Sequence, residues 1–307
     1  TGAKSVVIDI FADTDPEANE DVILELNNLV NARAGSIETT TLNLYNDDFQ
    51  PVPAQEFSKY NNPFDLNGKQ LIWRPDGGGG YDGAILDSTA FPTDVTLGTV
   101  ISDGSSTILT SGTTHQLDLP SGLQLPFFGQ LYSTVFIGAD GYVTFGVDAP
   151  DQYGSLFRMF HDNSSSRSPR AALYWDELNP SLGGEIRYFV DQTPGQERLV
   201  VTFMDIPDFF YPALLMNGQL EIWANGNITM TYLDNRVGSD FYKGVIGIAD
   251  GDPVLGYEEI DLSAFPPPGL TLLSSSPVLG NIGQSYTHTF EAIDGPTPYR
   301  WAITAGS

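Results

Sequence analysis

The residues that decide the fold run Val135-Phe136-Ile137-Gly138-Ala139-Asp140-Gly141-Tyr142-Val143-Thr144-Phe145. Two short apolar segments flank an Asp-Gly pair, which is typical of a tight turn between antiparallel strands. The same rhythm of short apolar runs and Gly- or Asn-containing turns continues on both sides. It predicts an all-β chain of sandwiches rather than alternating strands and helices, with helix confined to about residues 152–161. The other clear strand patterns are Val6–Ile10, Val22–Leu26, Thr41–Leu44, Leu199–Phe203 and Leu220–Trp223.

The length and the prolines divide the chain into modules. It has 307 residues, of which 41% are hydrophobic and 12% aromatic, so it can bury a sizeable core. Domains commonly run about 100 to 200 residues, which predicts two or three β modules. Proline-bearing segments at 50–53 and 265–269 indicate the boundaries. We therefore expect modules at 1–49, 67–264 and 272–307, with linkers at 50–66 and 265–271.

The charge narrows the choice of partners. Asp and Glu number 39 against 13 Lys and Arg, a net charge of -26. Such a chain repels nucleic acid and anionic lipid head groups, so neither is expected as a partner. The acidity suits divalent cations, high salt or simply solubility, and by itself it does not choose among them. No apolar run is long enough for membrane insertion and no signal peptide opens the chain, so we expect any export signal upstream.

The residues that could carry chemistry do not form a catalytic motif. Without cysteine there is no disulfide, no thiolate zinc site and no cysteine nucleophile. None of the three histidines accompanies a nucleophile-elbow motif. Asp176 and Glu177 are the one tempting carboxylate pair, but neighbours on a strand face opposite sides. We therefore predict that the protein is not an enzyme.

Two loops and a core can also be predicted. Gly77–Gly80 lacks the Gly-Lys-Ser/Thr of a phosphate loop, so we interpret it as a flexible turn. The aromatic segment Phe209–Pro212 could stack on a sugar or insert into a partner, but core packing is the favoured interpretation. The expected core of the central module includes Phe136, Tyr142, Phe145, Trp175, Val201 and Ile222.

The central module carries the most specific resemblance. Its blocks are, in chain order, Leu125–Gln130, Tyr132–Gly146, Arg170–Pro180, Gly183–Tyr188, Arg198–Phe203, Gly218–Trp223, Ile228–Tyr232 and Gly244–Ile248. The series resembles the nidogen-like domain and a related bacterial β-sandwich of secreted, multi-module proteins. This resemblance implies extracellular adhesion or scaffolding rather than catalysis. It also implies that Trp175 packs in the module and that Asp176 braces the following turn.

The first module shows a second resemblance. A strand, an acidic stretch at 13–20, a strand at 22–26 and a final strand closing on Asn46-Asp47-Asp48 resemble the C-terminal half of a Calx-beta domain. In the members of that family that bind calcium, two acidic clusters meet at one end of the sandwich and hold Ca²⁺, which takes six to eight oxygen ligands. The alternative is that both clusters are ordinary solvated loops. The implied calcium ligands are Asp13, Asp15, Glu17, Asp47 and Asp48.

The last module shows a third resemblance, which completes the predicted assignment. Gly283–Ala292 and Gly295–Ser307 resemble the opening of a bacterial Ig-like repeat of the He-PIG type. Tandem sandwiches of these kinds indicate a fragment of a large secreted or cell-surface protein, bacterial in origin. The expected function is a structural or adhesive segment, stabilised by calcium. Its partners would be neighbouring modules, other copies of the protein, or cell-surface glycans or proteins. The alternative is an accessory, carbohydrate- or substrate-binding region of a secreted multi-module hydrolase.

Overall fold

A computed structural model describes residues 20–25, 39–44, 50–58, 61–104, 109–160, 168–237, 243–254, 257–268, 271–272 and 292–293. Within these ranges the chain is almost wholly β, as the sequence predicts. One α-helix, α1, spans Leu156–Phe160, and two single-turn 3-10 helices span Pro180–Leu182 and Leu262–Ala264. In the same ranges, no helix is long and apolar enough to cross a membrane.

The strands in chain order are β1 Glu20–Glu25, β2 Thr39–Leu44, β3 Gln50–Val52, β4 Ala54–Phe57, β5 Lys69–Pro75, β6 Tyr81–Asp87, β7 Thr99–Ser102, β8 Thr114–Asp118, β9 Leu125–Phe127, β10 Gln130–Tyr132, β11 Thr134–Gly138, β12 Tyr142–Phe145, β13 Arg170–Trp175, β14 Glu185–Asp191, β15 Arg198–Pro207, β16 Leu215–Trp223, β17 Ile228–Tyr232, β18 Gly244–Ala249, β19 Tyr257–Glu259, β20 Thr271–Leu272 and β21 Ala292–Ile293.

Two antiparallel sheets form the central sandwich. The first has six strands in the order β4-β18-β13-β12-β11-β8, and the second has seven in the order β6-β5-β17-β16-β15-β14-β7. The predicted hairpin is β11 and β12, paired from Val135 opposite Phe145 to Gly138 opposite Tyr142. The Asp-Gly pair makes the tight turn between these strands, so local turn chemistry sets their register.

The main core lies between the two sheets. Phe145 of the six-stranded sheet and Val201 and Ile222 of the seven-stranded sheet are fully buried in it, as predicted. Phe136 was predicted to join them, but it is only half-buried, whereas Val135 and Ile137 are fully buried core residues. The expectation for Phe136 was wrong because successive side chains of a strand point to opposite faces.

A second, smaller core covers the outer face of the six-stranded sheet. It contains Tyr142 and Trp175, which are buried as predicted but do not lie in the core between the sheets. Leu156, Met159 and Phe160 of α1 pack into the same cluster. The helix falls inside the stretch that the sequence indicated. This part of the face is therefore buried, and β4, β12, β13 and β18 carry apolar residues on it, as in sheets covered on both faces.

A strap, defined as residues 88–98, connects β6 and β7, the two edge strands of the seven-stranded sheet. Thr93 holds it to the outer face of that sheet. The Thr93 amide donates to Gln219 Oε1 at 2.9 Å, Gln219 Nε2 donates back to the Thr93 carbonyl at 2.9 Å, and Thr93 Oγ1 donates to Glu221 Oε1 at 2.5 Å. All three residues are buried, and these bonds give their side chains polar partners away from water.

The two expected linkers lie against the sandwich. From residues 50–66, β4 pairs with β18 and β3 pairs in parallel with β19. From residues 265–271, the Phe265 ring packs edge-on against Trp73 with centroids 5.1 Å apart, and the Pro266 carbonyl accepts from the Ile85 amide at 3.0 Å. Proline lacks an N–H but keeps its carbonyl, so proline-bearing segments can still pair along a sheet edge. A proline-rich composition therefore does not place these segments outside the module.

The flanking modules are described only in short pieces. β1 pairs with β2 in antiparallel register from Glu20 opposite Leu44, and β20 pairs with β21. Most of residues 1–49 and 272–307 lies outside the described residues. The Calx-beta and Ig-like assignments therefore stay predictions.

Candidate functional site

Asp140, in the turn of the β11–β12 hairpin, ties three loops together at one end of the sandwich. Its side chain is fully buried. One carboxylate oxygen accepts from the Gly112 amide at 2.6 Å, and the other accepts from Ser111 Oγ at 2.9 Å and the Leu178 amide at 3.1 Å. Burial raises the pKa of Asp140 well above its ordinary value, against the opposing effect of these hydrogen bonds. Asp140 therefore has a structural role, because its carboxylate connects its own turn to the loops of Gly112 and Leu178.

Asp176 and Glu177 follow β13 directly and are also buried, with 3% and 4% of their surface exposed. Asp176 Oδ1 accepts from the Glu177 amide at 2.8 Å, and the Asp176 amide donates to the Asp140 carbonyl at 3.2 Å. Burial, and secondly the negative charge of Asp208, raise the pKa of Asp176 to about 7. The same two causes raise the pKa of Glu177, whose Oε2 has no hydrogen-bond partner within the described part of the chain. Here the carboxylates repel one another in a poorly hydrated environment.

Asp208 is the third member of this group and holds the loop that follows β15. Its Oδ1 accepts from the amides of Phe210 at 2.8 Å and Tyr211 at 2.7 Å. The Phe209 amide donates to the Glu177 carbonyl at 2.9 Å. Burial raises the pKa of Asp208, and the two backbone hydrogen bonds oppose that effect. Asp208 and Glu177 thus hold the backbone of this loop by hydrogen bonds, and we call these two residues the base of the loop.

The aromatic tip, defined as Phe209, Phe210 and Tyr211, projects from that base. These side chains are 41%, 46% and 38% exposed. The rings of Phe209 and Phe210 contact each other at 65°, with centroids 5.0 Å apart. The preference for core packing here was wrong, because Asp208 turns the backbone outward before the aromatic residues can reach the core.

The carboxylates at this end are bonded to the chain itself. Asp176 braces the turn after β13, as predicted, and the Trp175 indole N–H donates to the Asp151 carbonyl at 3.0 Å. Asp176 and Glu177 do not alternate across a sheet, because β13 ends at Trp175 and both residues lie beyond it. Among the residues that the structure describes, no group of three or more His, Cys, Asp or Glu is placed to hold a metal ion.

The remaining predicted positions are a glycine turn, a histidine and the calcium ligands. Gly77–Gly80 is a turn, as predicted, closed by Asp76 Oδ1, which accepts from the amides of Gly78 and Gly80. His115 stacks on Tyr188 with ring centroids 5.6 Å apart, and partial burial lowers its pKa. All five predicted calcium ligands, namely Asp13, Asp15, Glu17, Asp47 and Asp48, lie outside the described residues, so the calcium site stays a prediction.

Sequence reasoning missed the meeting of Asp140, Asp176 and Asp208. The only sequence signal at Asp140 is the Asp-Gly turn, which predicts a hairpin but no burial. Asp208 precedes an aromatic run, which suggests a loop without saying what lies beneath it. Only the pairing of β12 with β13, together with the bridge between Leu178 and Asp208, brings these carboxylates to one end.

Comparison with known proteins finds one relationship. A family model described as NIDO related matches residues 89–278, more than half of the chain, from the strap through β20. No curated protein and no solved structure matches the chain.

Proposed function

The chain belongs to the NIDO-related family, and from that premise we propose that it is a non-catalytic structural and adhesive segment of a large extracellular modular protein. NIDO-related domains are extracellular modules and are typically non-catalytic. The observation that carries the adhesive part of the proposal is the aromatic tip, held outward by Asp208.

A fixed, exposed aromatic surface is suited to contact with a partner. Phe and Tyr bury much apolar area for few rotatable bonds, so ordering them on binding costs little entropy. Asp208 and Glu177 already hold the tip backbone through three hydrogen bonds. Preorganisation of this kind favours affinity because less freedom is lost when the partner docks.

The buried carboxylates support the non-catalytic part. A general acid or base must reach its substrate, but Asp140 and Asp176 are buried and bonded to backbone amides. Their carboxylates connect loops through hydrogen bonds, and structural networks of this kind also perturb pKa values. The raised pKa values therefore do not require a catalytic role. We interpret this end of the sandwich as a rigid base for the aromatic tip.

The remaining parts of the proposal rest on sequence. We propose that neighbouring modules or other copies of the protein are the partners, and that cell-surface glycans or proteins are further ones. We also propose that Asp13, Asp15, Glu17, Asp47 and Asp48 bind calcium and stiffen the junction with the central module. The alternative remains an accessory region of a secreted hydrolase. Either role fits a bacterial surface or secreted protein.

An adhesion assay tests the role of the aromatic tip. Beads coated with the chain are compared with beads coated with the Phe209→Ser/Phe210→Ser variant, for clustering with each other and for attachment to cells. We expect the variant to lose most attachment, because the exposed apolar contact is removed while the base is kept. Leu131→Ser, at a position that is 60% exposed, is the matched control and should attach like the wild type. Equal attachment by all three proteins would refute the adhesive role of the tip.

A further inference from the structure

A polar groove of about 810 Å³ lies at one end of the seven-stranded sheet, beside the first residues of the strap. It forms where β15 ends, β16 begins, β17 ends and β5 begins, and these termini meet because neighbouring strands are antiparallel. Its volume falls within the roughly 300–1,000 Å³ that ligand sites commonly occupy. Its lining includes Phe91, Met204, Asp205, Asn217, Asp234 and Arg236.

The floor of the groove is a fixed asparagine network. Asn217 and Asn235 are almost fully buried. The Asn217 amide donates to Asn235 Oδ1 at 2.7 Å, and Asn235 Nδ2 donates to the Asn217 carbonyl at 2.6 Å. Asn67 extends the network, since its Oδ1 accepts from the Asn235 amide at 2.7 Å and its Nδ2 donates to the Asn235 carbonyl at 2.9 Å. The floor is therefore set before any ligand arrives.

Two aspartates on the rim have unusual backbone conformations. Asp205 and Asp234 have φ values of 52° and 53°, and Phe128 is the only other non-glycine residue with positive φ in the described ranges. Asp205 lies at the irregularity in the pairing of β15 with β16. Such bulges redirect side chains, and left-handed non-glycine residues are retained where the surrounding structure holds them. Here Asn217 Oδ1 accepts from the Asp205 amide at 2.7 Å, and Asn217 Nδ2 donates to Asp205 Oδ1 at 3.2 Å.

The groove combines the groups that a sugar requires. Exposed carboxylates at Asp205 and Asp234 accept hydrogen bonds from hydroxyls, and the exposed guanidinium of Arg236 donates them. Phe91 and Met204 offer apolar surface for the C–H face of a pyranose ring. The net charge of -26 and the two rim carboxylates disfavour acidic glycans. We propose that this groove binds a neutral hexose oligosaccharide.

This inference deepens the proposed function and rests on it, since it assigns a glycan class and a site to an adhesive segment. The groove is built on the strand ends, the strap and the asparagine network, whereas the aromatic tip stands on Asp208 and Glu177. Substitutions in one feature can therefore be made without removing the residues of the other. A failure of the groove and a failure of the adhesive role are thus distinguishable.

The test is isothermal titration calorimetry of the whole chain with neutral trisaccharides of glucose, mannose and galactose at millimolar concentration. The key variant is Asp205→Asn/Asp234→Asn, because asparagine also tolerates the left-handed conformation. We expect the wild type to bind at least one of these sugars and the variant to bind it at least tenfold more weakly. Asp82→Asn, at an exposed position on β6, is the charge-matched control and should bind like the wild type.

Two further measurements complete the test. Phe91→Ala should also weaken binding at least tenfold if the ring packs on the sugar, and circular dichroism should show the wild-type fold in every variant. No binding of any of the three sugars by the wild type would overturn the inference, as would unchanged binding in the double variant or in Phe91→Ala. If sugar binding is absent while the wild-type beads still attach through the aromatic tip, the groove alone is refuted. If sugar binding is found without attachment, the groove stands and the adhesive role of the tip fails.

Discussion

The guanidinium carbon of Arg170 lies 3.8 Å from the centre of the Trp175 ring and 4.1 Å from the centre of the Tyr142 ring. The side chain is almost completely buried, and its Nη2 donates to the Ala149 carbonyl at 3.1 Å. Burial lowers the pKa of Arg170 to about 10, so the group still carries its charge at neutral pH. The guanidinium contacts both aromatic rings and therefore joins β13 to β12 and to the loop that leads to α1.

Arg170→Lys is expected to destabilise the protein by about 2 kcal/mol, because a compact, strongly hydrated ammonium group lacks the planar surface and the several N–H donors of the guanidinium. Urea unfolding followed by tryptophan fluorescence measures the change. Arg236→Lys, at an exposed position, should alter stability by less than about 0.5 kcal/mol. If the two substitutions have the same small effect, the ring contacts of Arg170 contribute little.

The buried carboxylate of Asp176 should make stability depend on pH. Its pKa is about 7 in the folded protein against an ordinary value of 3.8, so below about pH 4 the group is protonated in both states. As the pH rises from about 4 to 7, the unfolded chain releases this proton first, and the folded state loses on the order of 4 kcal/mol. Asp176→Asn cannot ionise and should escape that loss.

The measurement for Asp176 is the free energy of unfolding of both proteins at pH 4 and pH 8. We expect the free energy of unfolding of the variant to increase relative to that of the wild type as the pH rises. Asp82→Asn, at an exposed position, is the control and should follow the wild type at both pH values. A constant difference between Asp176→Asn and the wild type would show that Asp176 titrates normally.

Gly141 in the β11–β12 turn should tolerate no side chain. Its φ is 84°, and an added Cβ would lie 2.1 Å from the Tyr174 carbonyl oxygen. Gly122 has a similar φ of 94° but no atom within 4 Å of an added Cβ. Gly122→Ala therefore measures backbone strain alone, about 1–2 kcal/mol.

The loss of stability caused by Gly141→Ala should exceed that caused by Gly122→Ala by at least about 2 kcal/mol, because the backbone of β13 must move to remove the clash. Thermal unfolding of the two single variants and the wild type gives the comparison. Equal losses of stability would mean that the hairpin turn lies farther from Tyr174 than the structure places it.

Calcium should raise the unfolding temperature if the acidic clusters of the first module meet. At a hundredfold excess of calcium over its dissociation constant, binding adds about 2.7 kcal/mol. The measurement is thermal unfolding with calcium and then with chelator, for the wild type and for Asp47→Ala/Asp48→Ala. An unchanged midpoint on chelation, or an equal calcium response in the variant, would identify the clusters as ordinary solvated loops.

The sequence by itself determined the all-β class, the hairpin at residues 134–145, the turn at Gly77–Gly80 and the position of the short helix. Each depends on neighbours in the chain, because alternation, turn residues and local hydrogen bonds act over a few positions. The same local pattern could not say which face of β11 meets the core. For this reason the sequence predicts Phe136 in the core, whereas Val135 and Ile137 are the side chains of β11 that lie there.

Only the tertiary structure decided which distant loops meet. Asp140, Asp176 and Asp208 converge, the strap crosses the seven-stranded sheet, and Asn67 joins Asn235 from 168 residues away. Strand order is the physical reason, since hydrogen bonding between strands far apart in sequence brings their end loops together. Burial of the carboxylates, exposure of the aromatic tip and the polar groove all follow from that order, and none of them is encoded in a local pattern.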